Sequence, residues 1–314
     1  MMAAAWLPGI AAVAAALFTW ISIGQAKKEL RITEDAQIAA RFNAAVAHLG
    51  HESRDVQFGG IYALERVMED SASDQPRVVS VLSAFVRRHS PVPPGGFAEQ
   101  RGAAPQLPVE VVAAINVLAK QPPDRKQQGE VDLRRTDLRA MELNGQTPDT
   151  RPLHPRQPSL ASAQLTGADL RGSRIFSTNL DDANLEGANL NRAVFVDVHM
   201  NGAHLGKAGL VNADLADSHL SGARLKEADL RMAHLQNTDL DRADLSDTKL
   251  TGADFSGVSL RHTRLEGSGI TVDQLLSALP YSTTRLDEEV RNDPRVRARI
   301  EEVEKLQSPA TPAP

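Results

Sequence analysis

Cysteine is absent from all 314 residues, which excludes disulfides, thiolate metal sites and cysteine nucleophiles. Aromatic residues make up only 4%, with two Trp and two Tyr, low for a globular enzyme. A core so poor in large rings has to be assembled from small and mid-sized aliphatic side chains. An excess of either charge is lacking too. The 35 basic and 40 acidic residues leave a net charge of −5, which argues against a general nucleic-acid binder. No nucleophile–base pair and no phosphate-binding loop stands out, so the chain reads as non-enzymatic, with no catalytic, cofactor-binding or metal residues. Its length suggests two domains rather than one.

Residues 3–23 carry no charged side chain and form one nearly continuous apolar run. About 20 helical residues span a bilayer core, so the run has the length of a transmembrane anchor, assigned to residues 1–25. Trp6 and Trp20 lie near its ends, where indole rings favour the headgroup zone. Lys27, Lys28 and Arg31 follow directly, so the positive-inside rule places the body in the cytoplasm, single-pass, at the cell membrane. A cleavable signal peptide is the competing reading. It would normally carry a basic n-region, and nothing before Trp6 is charged except the amino terminus.

Residues 26–122 read as a small α-helical region of four helices sharing one core. The first runs to Leu49 with Gly50 as its stop, and the second spans about 60–68. The third follows Asp74 and Pro76, with Val78, Val79, Leu82, Phe85 and Val86 as its stripe. The fourth is 109–119, after a Pro- and Gly-rich loop at 91–108. Arg87, Arg88 and His89 look like a basic cluster. The simpler reading is a solvated helix C-terminus favoured by the macrodipole.

From Leu160 every fifth residue to Ile270 is Leu, Ile, Met or Phe without a gap. Two residues before each there is usually a small one, as in Ala163, Ala168, Ala183 and Ala203, and the residue between is often Asp or Asn. A period of five suits neither regular element. A helix would scatter the leucines round its surface, and a strand would turn every second one outward. A square coil in which each pentapeptide makes one side points both the small residue and the leucine inward. Its corners fall where Gly167, Gly187, Gly202, Gly222, Gly252 and Gly267 recur, joined by Asn212 and Asn237, residues that tolerate positive φ. Four sides require a hidden period of twenty. Taking every twentieth small-position residue gives Pro158, Thr178, Val198, Ser218, Thr238 and Val258, and none is alanine. Phe195 and Phe255 share another column.

This pattern resembles the pentapeptide-repeat family, which implies a right-handed quadrilateral β-helix and a mainly β fold. The resemblance covers 159–270 and reaches back to Leu133, Leu138 and Met141-Glu142-Leu143, so the solenoid is placed at 131–270 with an inserted loop at 146–157. The segment Gly59-Gly60-Ile61-Tyr62-Ala63-Leu64-Glu65-Arg66 looks like that of actinomycete, membrane-linked members. Thr271 opens a short helix with Gln274 at the capping-box position, and Leu275, Leu276 and Leu279 can lie on the last coil. Residues 271–307 read as this cap followed by a charged helix or tail interrupted by Pro294, and 308–314 as disordered.

His199 and His219 fall at equivalent outward positions one coil apart, with Asp239 next in the column. Stacked about 4.8 Å apart, they are conceivable metal ligands, though two exposed imidazoles at a variable surface position is the preferred reading. The resemblance also implies a rival function, since some family members mimic duplex DNA and protect topoisomerases from quinolones. That needs a strongly acidic surface, whereas Arg171, Arg192, Lys207, Arg224, Lys226, Arg231, Arg242 and Lys249 interrupt the acids here. The expected role is a non-enzymatic, membrane-anchored scaffold that binds another protein, with the membrane met through residues 3–23 and no direct nucleic-acid binding.

Overall fold

A computed structural model describes residues 7–93, 106–120, 129–144 and 157–307, with side chains from residue 17 onward. The chain divides into two compact units, 1–72 and 73–314, so the division falls inside the expected four-helix region. Two helices go to each unit.

The first unit holds α1 (Leu7–Leu49) and α2 (Arg54–Asp70). α1 runs without a break through the point where an anchor was expected to end, and stops before Gly50. Among the described residues no helix is long and apolar enough to cross a membrane. Residues 3–6 of the expected anchor lie outside the described residues, as do its side chains before Leu17. α2 starts six residues earlier than its periodicity predicts and crosses α1 closely at Gly60. A Cβ there would stand 2.8 Å from the Ala45 carbonyl oxygen, so no larger residue fits without a shift. Arg41 on α1 pairs with Asp70 on α2 at 2.9 Å.

In the second unit α3 (Gln75–His89) and α4 (Val109–Ala119) bury the expected stripe, Val78, Val79, Leu82, Phe85 and Val86, together with Val111, Ile115 and Leu118. They close the first coil. The Ser159 N–H donates to the Ala119 carbonyl at 2.7 Å, the Val92 N–H to Arg135, and the Asp137 N–H to Ser90. Arg87 is not the solvated helix end expected from its sequence. Its guanidinium donates to the Asp132 carbonyl at 2.8 Å and meets the Asp132 carboxylate at 2.6 Å, tying α3 to the solenoid.

The solenoid is built from parallel bridges twenty residues apart, four to each coil. One column runs Asn179, His199, His219, Asp239, Ser259, and another Val194, Asp214, His234, Asp254. The second fixes Phe195 and Phe255 on one side, three coils apart and both 1% exposed, as the twenty-residue period requires. On that side three segments pair as short strands, β1 (Glu142–Asn144), β2 (Arg174–Phe176) and β3 (Val194–Val196). Asp132 pairs with Gln164, 32 residues on rather than 20. The twelve extra residues match the 146–157 insertion, which lies outside the described residues but for Gln157.

Every corner from Ser162 to Gly267 takes positive φ, not only those with Gly or Asn. Arg192, Lys207, Met232 and His262 all sit at φ 57 to 60, where a side chain costs about 1–2 kcal/mol, so the ladder overrides local preference. In the column without alanine, Thr178, Ser218 and Thr238 bond carbonyls through their hydroxyls, while Val198 and Val258 are buried there without such a bond. Ser218 Oγ donates to the Phe195 carbonyl at 2.8 Å and Thr238 Oγ1 to the Leu215 carbonyl at 2.9 Å, bonds alanine cannot make. Ser173, fully buried in another column, has no partner for its hydroxyl among the described residues.

The far end closes beyond Ile270. Thr271 caps α5 (Val272–Ser277) through the expected capping box with Gln274. The Gln274 amide then donates to the Leu250 and Ala253 carbonyls at 2.9 Å, and Leu275 takes the inward place after Phe255. Leu276 and Leu279 are only half-buried, and Leu279 pairs with Ser259 as a further piece of coil. The coil continues to Arg285, which pairs with Arg264, and Leu286 is buried. The charged segment is no solvated tail. After α6 (Glu288–Arg291), Pro294 opens α7 (Pro294–Gln307) rather than interrupting a helix. α7 buries Val296 and Val303, while Arg299 donates to the Ala278 carbonyl. Residues 308–314 lie outside the described residues.

Leu220 is fully buried, with Met200 and Leu240 one coil away on either side. Leu220→Ala is expected to cost about 2–5 kcal/mol in urea unfolding, and exposed Lys226→Ala within about 0.5 kcal/mol. Equal losses would show the inward register to be wrong. In the same assay Thr238→Val should lose about 1 kcal/mol, whereas Ser173→Ala should be neutral or stabilising. A large loss at Ser173 would contradict the idle hydroxyl.

Candidate functional site

The solenoid interior is filled to its axis by Leu, Ala, Phe and Met side chains, most of them at most 2% exposed. Whatever the domain recognises therefore meets its outward columns, one residue before each inward leucine and the two corner residues after it.

The Asp or Asn before the leucine is part of the corner. Its Oδ1 accepts the backbone N–H of the residue after the leucine, as Asn179 does from Asp181 at 2.8 Å, Asp214 from Ala216 and Asp254 from Ser256 at 2.9 Å. Such local side-chain turns satisfy a donor that the square path leaves pointing outward. Where that position is not Asp or Asn, the acceptor can come from the coil before. Asp181 takes the N–H of Asn201 and Asn201 that of Ser221 on the histidine column, and Asn191 takes that of Val211 where Gly209 has no side chain. The frequent Asp and Asn were visible in the sequence; the N–H each would accept was not.

Several of these aspartates are also gripped by arginine. Asp229 Oδ1 accepts Arg231 Nε at 2.8 Å and Oδ2 accepts Nη2 at 2.8 Å. The same Asp-x-Arg fork recurs at Asp132–Arg134, Asp137–Arg139 and Asp169–Arg171, and in the cap at Asp293–Arg295. Asp169 is only 1% exposed. Asp239 and Asp244 accept the N–H groups of Asp241 and Ser246, and Arg264 approaches Asp244 at 3.8 Å. The His199 and His219 rings meet edge-on at 4.8 Å with Asp239 next in the column, yet no group of three among the described residues could hold a metal ion.

Eight copies of the family described as pentapeptide repeats match this region, over 178–215, 208–247 and 233–267. Residues 178–267 of the solenoid are thus pentapeptide repeats. No curated protein matches the chain. Among solved structures, a pentapeptide-repeat protein from the Arabidopsis thaliana thylakoid lumen is similar at 25% identity, covering 35% of this chain and 74% of that one, with a TM-score of 0.31. Rfr23 from the cyanobacterium Cyanothece 51142 is similar at 22% identity over 42% of this chain and 89% of its own, with a TM-score of 0.29. QnrB1, a plasmid-mediated fluoroquinolone resistance protein, is similar at 15% identity over 55% and 97%, with a TM-score of 0.27. None of these superpositions is close enough to bear on function.

The pentapeptide-repeat corners carry a pH signature. Hydrogen bonds from Arg134 to Asp132, from Arg231 to Asp229 and from Ser256 to Asp254 hold those carboxyls below the usual carboxylate range. A depressed folded value means the stabilisation is complete above the unfolded value, about 3.9, and is lost as pH falls through the folded one. The urea midpoint should therefore be insensitive to these groups between pH 5 and 7 and fall below about pH 4. Asp229→Asn keeps an acceptor for the corner and should flatten part of that fall. A midpoint that rises on acidification from pH 5 to 3 would contradict the assignment.

Proposed function

We propose that the chain is a non-enzymatic, membrane-tethered interaction module that displays its solenoid surface to a protein partner on the cytoplasmic side. The observation that carries this reading is the contrast between a filled interior and regular outward columns. Side chains about 4.8 Å apart on four sides offer an extended recognition surface, and both ends are covered by helices. The tether rests on the run at 3–23. In α1 Phe18 and Trp20 are each 75% exposed, and Leu17, Ile21 and Ile23 about half, which is unfavourable in water and suits an apolar medium. Lys27, Lys28 and Arg31 follow in the same helix, consistent with a cytoplasmic body.

Mimicry of duplex DNA is the weaker reading. Asp169 and Asp229 are locked to arginines at the next outward positions, so these columns present neutral pairs rather than a phosphate-like row.

Full-length protein is expected in the membrane fraction, with a reporter fused after Pro314 active only in the cytoplasm, and deletion of 1–25 should release the body. A secreted body lacking the first 25 residues would overturn the tether. The body should leave gyrase supercoiling unaffected at micromolar concentration. Inhibition lost on neutralising Asp229, Asp239 and Asp244 would restore DNA mimicry.

A further inference from the structure

The corner N–H groups divide into those with a side-chain acceptor and those without. Outside the three short strands, Gly206 and Lys226 are the adjacent pair, among the described residues, at which both lack one. Two residues before each stand His204 and Arg224, which offer no carboxylate or amide oxygen. The residues one coil before them, Glu186 and Gly206, do not accept either N–H. The neighbouring corners of the column are filled, Glu186 N–H by Asn184 at 3.1 Å and Ser246 N–H by Asp244 at 3.1 Å. Two outward donors thus lie about 4.8 Å apart with nothing of their own to bond.

The side chains around them favour an anion. Arg224 and Lys207 are exposed and form no ion pair among the described residues. Lys226 is paired with Asp247 at 3.6 Å, with both side chains more than half exposed. Two acids also border the spot. Glu186 passes Gly206, its Cγ 4.0 Å from where a Cβ would stand, and Glu227 is the next corner residue. Gly206 itself has no side chain to block approach. Elsewhere in the solenoid this same N–H is repeatedly occupied by an aspartate oxygen, so the fold shows which chemistry the position accepts.

We propose that the corner formed by Gly206, Lys207, Arg224 and Lys226 binds a carboxylate from an acidic segment of a protein partner. The N–H pair donates to the carboxylate oxygens, and Arg224 and Lys207 supply charge-assisted bonds to them. This rests on the reading of the solenoid as an interaction module and gives that module a place and a ligand class.

The test uses the full chain in detergent, isotope-labelled, titrated with a hexaglutamate peptide and, as a control, hexaglutamine. Hexaglutamate should shift the Gly206 and Lys226 amide resonances saturably, while the filled corners at Asp241 and Ser246 stay in place. His204→Asn with Arg224→Asn gives each corner its own acceptor, as Asn184 does one coil earlier. This double variant should fold as the parent does and bind hexaglutamate at least about tenfold more weakly. Arg224→Gln removes the charge without filling the corner and should weaken binding less. Undiminished binding by the double variant would overturn the site, as would shifts equal for the two peptides. Shifts confined to another part of the solenoid would overturn it too, while leaving the interaction-module reading intact.

Discussion

Along the solenoid the inward residue at the leucine position donates its N–H to a carbonyl nineteen residues further on, and the rest of the molecule follows from that bond. Leu180 reaches His199 at 2.6 Å, Leu205 reaches Arg224 at 2.7 Å, and Leu230 reaches Lys249 at 2.9 Å. A donor and acceptor so spaced can be repeated only if the chain returns above itself every twenty residues. Four pentapeptide sides do this, and each then has two inward places, one outward place before the leucine and a corner. The corner must adopt positive φ whatever residue it holds, which is why Lys207 and Met232 are found there beside the glycines. The N–H after the leucine is the one donor the path leaves outside, and Asp or Asn at the outward place is the common answer to it.

The register was readable because leucine recurs without interruption and because a column lacking alanine betrays the twenty-residue coil. Thr178, Ser218 and Thr238 in that column were legible as larger residues, but their hydroxyl bonds to main-chain carbonyls were not, since a sequence does not show which carbonyl faces inward. The ends were harder for a related reason. The Thr271–Gln274 capping box is a local signal and was found, whereas the coil beyond it breaks the five-residue spacing. Arg285 pairs with Arg264 at 21 residues, so Leu286 could not be recognised as inward by counting. Arg87 shows the same limit at the other end. A basic residue at a helix C-terminus has a sufficient local explanation, and its carboxylate partner lies 45 residues away at Asp132.

What the ladder leaves unconstrained is the outward surface. Outward places are filled in pairs that cancel, as in the Asp-x-Arg forks, or in stacks such as His199 over His219, so the surface is patterned without being strongly charged. The corners at Gly206 and Lys226 stand apart because, outside the short strands, they are neighbours in one column that both present main-chain donors.

The absence of cysteine permits the most direct test of the twenty-residue coil. Spin-label pairs at 179 and 259, and at 179 and 249, can be compared by pulsed dipolar spectroscopy in otherwise native chains. Asn179 and Ser259 share a column four coils apart, whereas Lys249 stands on the opposite side. The 179–259 pair should give the shorter distance, near 19 Å with a coil rise of about 4.8 Å, despite its greater sequence separation. A shorter distance for 179–249 would contradict the four-sided coil and everything built on it.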